Sequence, residues 1–121
     1  MDLHESGEMY LETILRLKDK NEYVRSIDIA NEMNFSKPSV SRAIKLLKES
    51  GYITVDNRGY IDFTDKGKAH AENIYNRHLD FTEFLVRVGV SRKQAEEDAC
   101  RLEHVVSDET HQCIKKYLEK L

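Results

Sequence analysis

Two short helical patterns separated by two residues, followed at once by a pair of β-prone runs, constrain this 121-residue chain more than any other feature. In "SIDIANEMN" Ile27, Ile29, Ala30 and Met33 supply the apolar positions of one helix, with Ser26 placed as its N-cap. Asn34–Phe35 is a tight connection. Ser36 then caps a further helix, with Pro38 in its first turn, where a missing N–H costs little. Val40, Ala43, Ile44 and Leu47 form the buried stripe of that helix, and Gly51 lies just beyond its end. Tyr52–Val55 and Tyr60–Phe63 are β-prone runs around a polar turn, Asp56–Gly59, which is a hairpin signal. Upstream, Met9, Leu11, Ile14, Leu15 and Leu17 recur at helical spacing, so residues 6–20 read as an amphipathic helix.

Helix, short turn, helix and hairpin is the order of a winged helix-turn-helix, in which the second helix of the motif enters the DNA major groove. The net charge of −3 argues weakly against such a partner, but it averages over an uneven distribution. The segment "SKPSVSRAIKLLK", residues 36–48, carries Lys37, Arg42, Lys45 and Lys48 and no acid. Ser39 and Ser41 can bond phosphates or base edges, Arg42 can pair with guanine through two bonds, and Pro38 can pack on a thymine methyl. Lys37, Lys45 and Lys48 can neutralise phosphates, and Arg58 at the wing tip is placed to reach phosphate or the minor groove. A solvated basic helix face is the bland alternative. The short helix before it and the hairpin after it favour double-stranded DNA.

Beyond the hairpin, "DKGKAHAENIYNRHLDFTEFLVRV" reads as a long helix over 65–88 that Gly89 stops. Ser91 and Ser107 are placed to cap two more helices. The fold expected is mainly α: a winged helix-turn-helix over 1–64, then an all-helical lobe over 65–121. In that lobe "CRLEHVV" places Cys100, Glu103 and His104 at i, i+3 and i+4. On a helix these share one face, with Cβ atoms roughly 5–6 Å apart. A thiol, a carboxylate and an imidazole there can bind a transition metal. A buried cysteine beside a surface ion pair is the alternative at this point. His4, His70 and His111 have no partner pattern, and Cys113 reads as core.

Two cysteines do not make a disulfide framework, and a reducing cytoplasm fits them best. No stretch approaches the roughly 20 apolar residues of a membrane span. The start, "MDLHESGEMY", lacks the features of a signal peptide. Neither a membrane nor a small organic substrate is an expected partner.

With "GEMYLETILRL", "DIANEMNFSKPSVSRAIKLLKESGYI", the Thr-x-x-Gly of "DFTDKG" and "EDACRLEHVVSDE" together, the chain resembles the iron- and manganese-dependent repressors typified by the diphtheria toxin repressor and the manganese transport regulator. The resemblance covers nearly the whole chain. It implies a homodimer that binds operator DNA when a divalent metal acts as corepressor, and so represses metal-uptake genes. It also implies a primary metal site of Met9, Cys100, Glu103 and His104, with Glu12 and His78 at positions used for a second ion. The chain departs from the pattern in two places: Glu96 stands where the iron branch has histidine, and Thr82 where a second-site acid is expected, with Glu83 next to it. Thiolate and thioether tilt the site toward Fe²⁺ over Mn²⁺, while Zn²⁺, Ni²⁺ or Co²⁺ would substitute in vitro. The implied switch is a metal that fixes the two lobes relative to one another and relieves repulsion among Glu12, Glu96, Glu97, Asp98 and Glu103.

Two rival functions remain. A winged-helix regulator could sense oxidants through Cys100 without metal, although surrounding acids would oppose a reactive thiolate. A small metalloenzyme could use the same ligands with an open coordination position, but it would leave the basic helix unexplained. The expectation is that the chain is not an enzyme.

Overall fold

The computed structural model describes residues 5–120; His4 lies outside them. The elements are α1 (Glu5–Lys20), α2 (Ser26–Met33), α3 (Lys37–Glu49), β1 (Ile53–Val55), β2 (Ile61–Phe63), α4 (Asp65–Arg87), α5 (Arg92–Val105) and α6 (Asp108–Glu119). This is a winged helix-turn-helix followed by helices, as the hydrophobic pattern predicts. By packing, the chain forms two units, Met1–Glu72 and Asn73–Leu121, and the first two turns of α4 go with the former.

The core of the first unit gathers Leu11, Ile14 and Leu17 of α1, Ile29 and Ala30 of α2, Val40, Ile44 and Leu47 of α3, and Ile53 and Ile61 of the strands. Leu11, Ile14, Ile29 and Val40 are completely buried, and truncating such a side chain to alanine costs about 2–5 kcal/mol where it is a leucine or isoleucine. Met9 belongs to the expected apolar stripe of α1 by spacing, yet it is 40% exposed, while Tyr10 takes a core place.

The helix ends follow local chemistry, with one correction. Ser36 caps α3 by accepting from the backbone N–H of Ser39. Ser26 does not cap α2. Arg25 holds the cap position in extended conformation, and its N–H donates to Asp28 Oδ2 at 2.8 Å, so the carboxylate at the third helical position fastens the start of the helix by reaching back to the cap residue. Asn34 closes α2 with φ 57°, a left-handed conformation that asparagine tolerates.

The wing is shorter than the β-prone runs. Tyr52 is drawn out of the strand because its N–H donates to Leu47 O at the end of α3. Tyr60 is drawn into the turn, where its carbonyl accepts from Asp56 N–H. The remaining strands pair antiparallel, Ile53 with Phe63, Thr54 with Asp62 and Val55 with Ile61. Asp56 Oδ1 accepts from the N–H groups of Arg58 and Tyr60, both at 2.9 Å, which orders the wing tip. Ile61 N–H donates to Val24 O at 2.8 Å and ties the segment after α1 to the wing.

The Thr-x-x-Gly motif acquires a physical reason here. Thr64 Oγ1 accepts from Gly67 N–H at 3.1 Å and donates to Gly51 O at 2.6 Å, joining the start of α4 to the end of α3. A Cβ at position 67 would lie 1.8 Å from the Tyr52 carbonyl oxygen, so only glycine fits.

In the second unit, Ile74 and Phe81 of α4 and the small residues Ala95 and Ala99 of α5 are buried. Ser91 and Ser107 cap α5 and α6 as expected, accepting from the N–H groups of Gln94 and Thr110. Cys113, expected in the core, is exposed; the buried place on α6 goes to His111. The His111 imidazole can be satisfied there because its Nε2 lies 2.8 Å from Asp80 and its ring meets Phe81 edge-on. No helix among the described residues is long and apolar enough to cross a membrane.

Candidate metal centre and nucleic-acid interface

The outward face of α3 carries the cations that the sequence singles out. Lys37, Pro38, Ser41, Arg42, Lys45 and Lys48 are exposed. Ser39 is half-buried, with its hydroxyl shared by Ser36 at 2.9 Å and by an Arg42 guanidinium N–H at 3.4 Å. These bonds compete with a role of the Ser39 hydroxyl toward a ligand. Arg58 is exposed at the tip of the wing. Arg25, which the sequence reading passes over, lies 4.5 Å above the Tyr60 ring, and Tyr60 in turn stacks on Tyr23.

The second unit brings four of the expected metal ligands together. His78 on α4 faces Cys100 and Glu103 on α5: its Nδ1 is 2.9 Å from Glu103 Oε2 and 3.9 Å from Cys100 Sγ. The other carboxylate oxygen, Glu103 Oε1, is 3.2 Å from His104 Nε2. Glu103 is completely buried, the His104 side chain nearly so, and Cys100 lies at the surface. A buried carboxylate flanked by two imidazoles and a thiol is a donor set of O, N and S atoms that fits a divalent transition metal.

These contacts set the protonation of His78. The hydrogen bonds of Cys100 and Glu103 raise its pKa to about 10, and partial burial opposes them only in part. The folded value exceeds the unfolded one, so the imidazolium contributes stability that is fully present below pH ~6.5 and lost as pH rises through about 10. Thermal unfolding of the metal-free protein in chelator should therefore show a falling midpoint from neutral pH to pH 10, and His78→Gln should flatten the profile.

The other expected ligands stand as follows. Glu96 is exposed on α5, one turn before Cys100. Thr82 cannot replace an acid: it is buried and its hydroxyl donates to the His78 carbonyl at 2.7 Å. Glu83 is engaged elsewhere, 3.0 Å from Arg87 Nε and 3.6 Å from Arg92 Nη2. In the first unit Glu12 is buried on α1 and accepts from Arg16 at 2.5 Å, and Met9 is exposed on the same helix.

Besides Arg25, sequence reading misses three groups. His70 pairs with Glu8 at 2.6 Å and meets Tyr52 edge-on. His111 pairs with Asp80. Arg77 is buried on α4, and a signal for it exists: it falls between Ile74 and Phe81 at i+3 and i+7, inside an apolar stripe.

Two family models divide the chain between them. Residues 2–61 match the N-terminal DNA-binding domain of iron-dependent repressors, and residues 64–121 match their metal-binding and dimerisation domain. The chain belongs to the iron- and manganese-dependent repressor family.

Among the relatives of this repressor family, an uncharacterised helix-turn-helix transcriptional regulator of Methanocaldococcus jannaschii is 34% identical over 98% of the chain and 96% of its own length. The iron-dependent repressor IdeR of Mycobacterium tuberculosis is 30% identical over 97% of the chain but 51% of its own. The chain thus spans about half the length of that relative. Among solved structures, the manganese regulator SloR is 29% identical with a TM-score of 0.82, covering 98% of this chain and 55% of that one. The metal-dependent regulator MtsR is 30% identical with a TM-score of 0.86, covering 93% and 53%. The domains matched are those for DNA, for a metal and for a second copy of the chain, and proteins of this kind are transcriptional repressors, not enzymes.

Proposed function

We propose that a divalent metal is the corepressor of this protein, enabling a homodimer to bind operator DNA at metal-uptake genes in the cytoplasm. The observation that carries the reading is the convergence of His78, Cys100, Glu103 and His104 within the metal-binding domain of a chain that also exposes a basic third helix. Met9, Glu12 and Glu96 are proposed as further ligands from the sequence pattern. A bound ion would supply positive charge and directional bonds to the buried carboxylate. Fe²⁺ is preferred to Mn²⁺ because a thiol suits a softer ion, and Zn²⁺, Ni²⁺ or Co²⁺ would serve in vitro.

The chain's own contribution is a charged, partly buried ligand set held in competition with a proton. In the metal-free state His78 carries that proton between Cys100 and Glu103, so metal uptake at neutral pH must release it. DNA affinity then follows from linkage: an ion shifts the population only by its differential affinity for the DNA-competent state. Tenfold tighter DNA binding needs about 1.4 kcal/mol of such preference. Two-fold symmetry would place paired α3 helices in half-sites about one helical turn, or a multiple, apart.

The test is anaerobic titration of Fe²⁺ and of Mn²⁺ into the metal-free protein and into Cys100→Ala, with DNA affinity followed at fixed salt. Fe²⁺ should bind more tightly, strengthen DNA binding and lose this effect in Cys100→Ala. Equal action by Mn²⁺ with no effect of the substitution would remove Cys100 as a decisive ligand. A second reading draws on the exposure of Cys100 beside His78: if no metal alters DNA binding but peroxide does, the protein senses oxidants.

A further inference from the structure

Arg77 is the one buried arginine among the described residues, and nothing in the metal chemistry above uses it. Its Nη1 donates to the carbonyl of Glu103 at 3.1 Å and to that of Val106 at 2.6 Å, and its Nη2 donates to the Asp108 carboxylate. Its Nε is buried without a hydrogen-bond partner. The three acceptors run in order along the last turn of α5, the connection and the first turn of α6. That is the backbone segment carrying Glu103 and His104. The next residue on α4, His78, meets the Glu103 side chain. One turn of α4 therefore grips Glu103 twice, by its carbonyl through Arg77 and by its carboxylate through His78.

We propose that Arg77 is a positioning residue for the metal centre: its guanidinium fixes the α5–α6 junction so that Glu103 is held between His78 and His104, where these side chains could together hold an ion. A buried ion pair by itself is weak evidence of stabilisation, since desolvation offsets much of the attraction. The planar fork instead supplies geometry, because it satisfies two carbonyls and a carboxylate from one rigid group. Lysine keeps the charge and loses the fork. The inference rests on the metal-site reading above. Groups that orient metal ligands typically alter affinity by roughly 10- to 100-fold when removed.

The experiment uses Co²⁺ as probe on the full chain, on Arg77→Lys and on Asp108→Asn, reading affinity by calorimetry and ligand geometry from the visible ligand-field and thiolate bands. Unfolding of each metal-free protein is followed separately. The Asp108 carboxylate is 88% exposed, so its substitution is compatible with folding and serves if Arg77→Lys does not fold. Expected are a roughly tenfold or greater loss of Co²⁺ affinity and altered bands in Arg77→Lys, with a smaller loss of the same kind in Asp108→Asn. Unchanged affinity and spectrum in the folded variants, with only a lower unfolding midpoint, would show that Arg77 merely stabilises the fold and would overturn the proposal. A folded, unaltered chain that binds no Co²⁺ would overturn the metal-site reading itself, and the positioning role with it.

Discussion

Glu103→Gln should abolish most of the metal response while leaving the side chain's shape in place. Glu103 is completely buried, and its two oxygens face His78 and His104. Losing the one anionic group between two imidazoles should weaken metal binding by at least the roughly hundredfold that loss of a supporting partner can reach. At an ion concentration a hundred times the dissociation constant, the unaltered protein gains about 2.7 kcal/mol of stability. With a hundredfold weaker site the same concentration gives only about 0.4 kcal/mol. The measurement is the metal-induced rise in Tm, with the DNA affinity of the same samples. A full metal-induced rise in Glu103→Gln would remove Glu103 from the ligand set.

Arg42→Ala should reduce operator affinity by about 1–3 kcal/mol and relax the base preference at one position, as loss of a two-bond contact to guanine does. Lys45→Ala and Lys48→Ala should instead weaken binding to all sequences and each lower the slope of log affinity against log salt by about 1. Arg42 is exposed on α3 and only loosely held by Ser39, so its guanidinium can turn toward a groove. Binding measured at several salt concentrations, on operator and on scrambled duplexes, separates the two behaviours. If Arg42→Ala lowers affinity equally on both duplexes, Arg42 touches phosphate and the base readout lies elsewhere on α3.

The turn of candidate ligands is legible in the sequence because Cys100, Glu103 and His104 lie within five residues and the helical period alone puts them on one face. The partner across from them is legible only by resemblance. Nothing local to His78 distinguishes it from His70 or His111, yet His70 pairs with Glu8 and His111 with Asp80, while His78 meets Glu103. The departures from the family pattern are decided in the same way. Glu83 stands next to Thr82, but about 100° of helix rotation separates neighbours. That rotation takes Glu83 to Arg87 and Arg92 and leaves Thr82 buried against the His78 carbonyl.

What this sequence determined by itself is what short-range chemistry controls. Apolar spacing set the helices, Ser36, Ser91 and Ser107 began three of them, and the run of cations from Lys37 to Lys48 marked the basic face of α3. Local competition could still mislead, as when Asp28 rather than Ser26 completed the start of α2 and Tyr52 left its strand for the end of α3. The tertiary structure alone decided which distant polar groups meet. Whether Arg77 reaches the carbonyls of Glu103 and Val106, and which histidine reaches Glu103, depends on how α4 packs against α5 and α6. A buried charge has to find its partners wherever packing brings the chain back, and no local period specifies that place.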